Sequence, residues 1–207
     1  MDLAKFFETA MKLKEVGRTG WKERGVKNPE TSSDHSYMVA LMTLILGRKR
    51  KLDLEKALKM AIVHDLPEAI VGDIITKENW EKGGSMWNKE KVNKERPAMR
   101  KLASLAGSQE IFQLWEEFES QKPPEARFVK DVDRLATILQ AIEYKKSGNC
   151  REPMEPFWDG KAVSGIKDLE LRKLLSSVLK SLDSKQTYCP SNQAHPLFHS
   201  KAFSEKV

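Results

Sequence analysis

Residues 61–76 read AIVHDLPEAIVGDIIT. His64 and Asp65 stand side by side in a run otherwise built from Ala, Ile, Val and Leu. Such flanks belong to a core, and burying a polar or charged group there is costly unless something pairs with it. The dipeptide is therefore either a satisfied core pair or part of a site that holds something charged. Pro67 cannot continue the helix ahead of it without losing a hydrogen bond and crowding the carbonyl of Val63. The helix must bend or stop beside the His-Asp pair, and a short helix is predicted to start at Pro67, before Gly72-Asp73.

Outward from this stretch the pattern is helical nearly throughout. Upstream, Asp53 can cap a helix whose apolar stripe is Leu54, Ala57, Leu58, Ala61 and Ile62. Before it, Ser32 or Ser33 can cap a helix over about 34–48. An amphipathic segment at Leu3, Phe6, Phe7, Ala10 and Met11 opens the chain. Between them GRTGWKERGVKNP (17–29) breaks the period and reads as a loop. Downstream, residues 79–90 are polar around Gly83-Gly84 and read as a loop or lid. A helix with Pro97 inside it follows, then one marked by Ile111, Leu114, Trp115 and Phe118 and ended by Pro123-Pro124. The longest helix is predicted over 125–146, and a last one carries Leu171, Leu174, Leu175, Val178 and Leu182. No Val/Ile/Thr-rich alternating segment of strand length occurs. The expectation is an all-α single globular domain over 1–183, with a loosely held, polar C-terminal tail over 184–207.

Composition agrees with a soluble globular protein. The chain has 207 residues, 40% hydrophobic and 32% charged, with a formal net charge of +6. The longest apolar stretch, Met38 to Leu46, is far short of the roughly 20 residues of a membrane span, and no secretory pattern opens the chain. Two cysteines, Cys150 and Cys189, form no framework, which points to a reducing, cytoplasmic setting. The basic cluster Arg48-Lys49-Arg50-Lys51 lacks interleaved aromatics and reads as a solvated helix end, so no nucleic-acid partner is expected.

The four histidines are His35, His64, His195 and His199. Asp133, between Val129 at i−4 and Ala136 at i+3, sits on or beside an apolar stripe, as does Asp65. An ionised carboxylate there needs a partner. His35, His64, Asp65 and Asp133 could balance one another around a divalent cation, since imidazole and carboxylate suit Mn, Co, Fe, Ni, Zn or Mg. Each could equally be a core or capping residue. Glu68, four residues after His64, could position or deprotonate water, or simply favour the dipole of a helix starting at Pro67. Arg18 offers a fork matched to phosphate oxygens and Trp21 a face for a sugar or base. Their plainer readings are a surface arginine and a core-covering tryptophan.

The ordered set His35, His64-Asp65, Asp133 resembles the signature of the HD-domain metal-dependent phosphohydrolases, and more narrowly the 5′-deoxynucleotidase branch. The matching segments are RTGW (18–21), SSDHSYMVALM (32–42), VHDLPEAIVGDI (63–74), LWEEFE (114–119) and EARFVKDVDRLATILQAIEY (125–144). The resemblance implies an all-helical fold, a homodimer, and a metal held by His35, His64, Asp65 and Asp133. It implies Glu68 as acid/base, Asp73 near the sugar with a catalytic part, Arg18 at the phosphate and Trp21 against the sugar. It implies hydrolysis of deoxyribonucleoside 5′-monophosphates. The rival readings are a hydrolase of triphosphates, alarmones or cyclic nucleotides on the same scaffold, and a non-catalytic helical binding protein. Two residues separate Arg18 from Trp21, where some relatives have the pair adjacent.

Overall fold

The structure is a computed structural model; it describes residues 1–74 and 89–183. Most of the loop expected over 79–90, and the tail expected from 184, lie outside the described residues. Ten α-helices are described: α1 Leu3–Met11, α2 Thr19–Glu23, α3 Ser32–Gly47, α4 Leu54–Val63, α5 Glu68–Val71, α6 Lys89–Ala106, α7 Gln109–Ser120, α8 Pro124–Lys146, α9 Gly160–Gly165 and α10 Leu169–Asp183. Short 3₁₀ turns cover Lys12–Lys14 and Glu155–Phe157. No strand occurs among the described residues, only an isolated bridge between Gly17 and Thr31. The chain is all-α, as its periodicity implies.

The core forms where α3 packs on α4 and α8, and α4 in turn packs on α7 and α8. Val39, Met60, Trp115, Phe118, Leu135 and Ile142 fill it, none more than 1% exposed. Burying a side chain of this size stabilises by about 1.5–3 kcal/mol. α6 pairs with α7 and carries α1 on another side. Pro97 lies inside α6. The carbonyl it leaves without a partner is that of Asn93, and both residues are exposed, so water can satisfy it.

Three details differ from the sequence reading. The 17–29 segment is not all loop. It contains α2, because Trp21 is drawn into a small second core with Val26, Ala141, Tyr144 and Met154. α3 is capped by Thr31 rather than Ser32 or Ser33: Thr31 accepts from the Asp34 amide, and the Asp34 side chain accepts from the Thr31 amide. Such a capping box satisfies two orphan donors at once. On α4, Ile62 is 60% exposed while Met60, Ala61, Val63 and His64 are buried. The inward face is rotated from the predicted stripe, and the rotation brings His64 inward.

Candidate active site

α4 ends as expected beside the His-Asp pair, with His64 at its C-cap. The His64 Nδ1 lies 2.8 Å from the Ala61 carbonyl. A carbonyl only accepts, so Nδ1 carries the proton and Nε2 is left as a lone pair in the neutral ring. That Nε2 is buried without a hydrogen-bond partner, although Asp65 Oδ2 is 3.2 Å away. Two acceptors face each other there, an arrangement that calls for a cation between them, whether proton or metal. Burial works against charge on His64, but Asp65 and then Asp133 raise its pKa. One donor atom each from His35, His64 and Asp65 lies within 4.8 Å of the others. His35 comes from the first turns of α3, and its Nε2 is 2.9 Å from Asp133 Oδ1 on α8. Asp133 thus borders the three-residue cluster through His35. Its pKa is held well below the carboxylate range by Lys130, His35 and His64 despite burial. The nitrogen and oxygen donors fit a divalent cation.

Glu68 opens α5 three residues on and is fully buried. Ser32 Oγ donates to its Oε2 at 2.6 Å and Lys91 Nζ to its Oε1 at 3.0 Å. Burial, then the Asp65 charge, pushes its pKa up to about 7 against the pull of Lys91. α5 stops at Gly72, whose φ of +75° only glycine adopts freely. The turn brings Asp73 to α2, where its Oδ2 accepts the Thr19 amide at 2.6 Å and its carbonyl accepts the Thr19 hydroxyl at 2.9 Å.

Arg18, at the N-cap of α2, donates from Nη1 to Asp65 Oδ2 at 3.1 Å. The acidic groups around it, Asp65 foremost, raise its pKa despite burial. Trp21 lies one turn further, 2% exposed. Its ring packs on Tyr144 and Phe157, and its Nε1 donates to Glu30 Oε1 at 2.9 Å. It backs the arginine loop and presents no open ring face.

Sequence reasoning missed four residues. Glu30 Oε1 holds Trp21 and lies 3.8 Å from Arg18 Nε and 3.9 Å from His35 Nδ1. Ser32, Lys91 and Glu95 surround Glu68. Glu95, 1% exposed, sits 3.4 Å from Lys91 Nζ, and burial pushes its pKa up to about 8. A signal existed for Lys91 and Glu95, which stand at i and i+4 on one face of α6; none existed for Glu30.

The HD domain family matches residues 10–164. The chain is 37% identical over 185 residues to 5′-deoxynucleotidase HDDC2 of Xenopus laevis, covering 88% of each. It is 41% identical over 172 residues to the protein of the same name in Dictyostelium discoideum, covering 74% of this chain and 85% of that one. A crystal structure from Pyrococcus horikoshii OT3 superposes with a TM-score of 0.68 at 37% identity, over 87% of this chain and 98% of that one. With a two-histidine, two-aspartate centre at the junction of α3, α4 and α8, and a match over most of its length, the chain belongs to the HD domain family.

Proposed function

We propose that this chain is a metal-dependent 5′-deoxynucleotidase, hydrolysing deoxyribonucleoside 5′-monophosphates to deoxynucleoside and phosphate. The observation that carries the reading is the buried, unpartnered Nε2 of His64 facing Asp65 beside His35. It stands in a chain similar to curated 5′-deoxynucleotidases of several eukaryotes. His35, His64, Asp65 and Asp133 would hold the cation. When bound, such a cation supplies Lewis acidity, offsetting phosphoryl charge and making water more acidic.

The remaining work falls to the chain's own groups. Arg18 faces the cluster with a planar fork and gives the phosphate a bidentate partner, which suits charge building on phosphoryl oxygens. Glu68, with a pKa of about 7, can hold or release a proton near neutrality and takes the acid/base role. Asp73, fixed to α2 through Thr19, borders the sugar. Trp21 enters as a wall behind Glu30 and Arg18, narrowing the room for a 2′-hydroxyl indirectly.

A homodimer is part of the same reading. Residues 36–47 of α3 hold no charged side chain. Their outer face leaves Tyr37, Met38, Leu41, Leu44 and Ile45 exposed, an apolar strip suited to an isologous contact; light scattering of the purified protein checks it. Among the described residues no helix is long and apolar enough to cross a membrane.

The deciding experiment is phosphate release from mono-, di- and triphosphates and cyclic nucleotides, with and without divalent metal. dAMP should be cleaved and AMP much less, with a discrimination of about 10²-fold or more. Trp21→Ala should relax that preference while the metal stays bound. Equal kcat/KM for dAMP and AMP in the wild type would overturn the deoxy assignment.

A further inference from the structure

Glu95 is a buried carboxylate that the reaction as described does not use. Among the described residues its ion-pair partner is Lys91, one turn earlier on α6, at 3.4 Å. Lys91 is 26% exposed at its side chain and also reaches Glu68 at 3.0 Å. A lysine stem has four rotatable bonds and its ammonium is strongly hydrated, so a partly exposed lysine gravitates to water. Two acidic side chains flank it instead: Glu68, across on α5, accepts its hydrogen bond at 3.0 Å, and Glu95, on its own helix, stands 3.4 Å away. Glu68 receives Ser32 from α3 on one oxygen and Lys91 from α6 on the other. Its rotamer is therefore fixed from two helices, and α6 supplies no member of the metal cluster. A Glu at 95 is costly to bury. It makes sense if its task is to aim the lysine.

We propose that Lys91, held inward by Glu95, is the positioning residue for Glu68, fixing the direction in which that carboxylate meets the reacting water or leaving group. The inference rests on the acid/base reading of Glu68, and the two can fail separately. A carboxylate displaced by about 1 Å loses on the order of 10²-fold in rate. Loss of Lys91 should thus lower kcat for dAMP while KM and bound metal stay near wild type.

The test is a double-mutant cycle on purified, metal-loaded protein with dAMP as substrate, with metal content and circular dichroism measured for each variant. Lys91→Met should lower kcat about 10-fold or more with KM changed less than about 3-fold. Lys91→Arg, which restores the cation, should recover part of the rate, and Glu95→Gln should show a smaller loss of the same kind. In a Glu68→Gln background, Lys91→Met should cost little more, because the group it aims is already gone. Wild-type kcat in Lys91→Met overturns the proposal. So does an equal loss in both backgrounds, or a loss accompanied by missing metal or helix content, either of which would assign Lys91 to the substrate or to the fold. Wild-type kcat in Glu68→Gln alone removes the acid/base reading itself, and with it anything for Lys91 to position.

Discussion

Two buried polar clusters adjoin where Asp65 and Glu68 stand three residues apart, and they are neutralised in different ways. Around Glu68 and Glu95 the protein brings its own cation, Lys91. Around His35, His64 and Asp65 it brings acceptor atoms within 4.8 Å of one another and leaves His64 Nε2 without a hydrogen bond. Arg18 reaches only the Asp65 side of that group. The first cluster holds a lysine among its carboxyl groups, and the second sets two acceptors face to face, which calls for a proton or a metal between them. On the proposed function, the difference separates a proton-handling pocket from a metal pocket.

The largest effect expected on that contrast is at the metal cluster. His64→Ala should abolish metal binding and phosphate release together, and exhaustive chelation should silence the wild type until a divalent cation is returned. Metal analysis alongside dAMP hydrolysis reads both. Activity that survives chelation would erase the distinction between the clusters.

Next in size is Glu68→Gln, which should keep its metal and lose about 10²–10⁴-fold in kcat. Retained metal with lost rate separates the two pockets, and lost metal would merge them. Arg18→Ala should follow, raising KM for dAMP and lowering kcat/KM by about 10–10³-fold, since a charge-assisted contact contributes roughly 1.5–3 kcal/mol and more where charge develops. The steady-state kinetics of the variant measure it.

The smallest effect concerns stability and pH. Glu95 is raised from 4.5 to about 8 in the folded protein. A carboxyl raised on folding contributes stability that is fully present below its unfolded pKa and is lost as pH rises through the folded value. The wild type should therefore weaken between about pH 4.5 and pH 8. Glu95→Gln, which cannot ionise, should be near neutral at pH 5 and stabilising relative to wild type at pH 9, by about 1–3 kcal/mol. Thermal melts of the metal-loaded proteins at both pH values check the sign. A variant less stable at pH 9 would show that the Lys91 ion pair outweighs the burial of Glu95.

Local patterns along the chain placed most of the helices and singled out the candidate metal ligands. Apolar residues at helical spacing place α4, α7, α8 and α10, and Pro67 breaks the chain where the site must open, because these are local rules of hydrogen bonding and side-chain direction. His35, His64, Asp65 and Asp133 stood out for a related reason: a polar group on an apolar stripe is visible without knowing what lies across from it. Tertiary structure alone decided the rest. The small core under Trp21 turned part of an expected loop into α2 and hid the indole behind Glu30. The turn of α4 carried Ile62 to solvent and His64 inward. Lys91 met Glu68 across 23 residues of chain, and Glu30 met Arg18 and His35 from an irregular strap. Contacts between elements depend on how helices rotate and pack against one another, and that geometry follows from the sum of many small burials rather than from any local pattern.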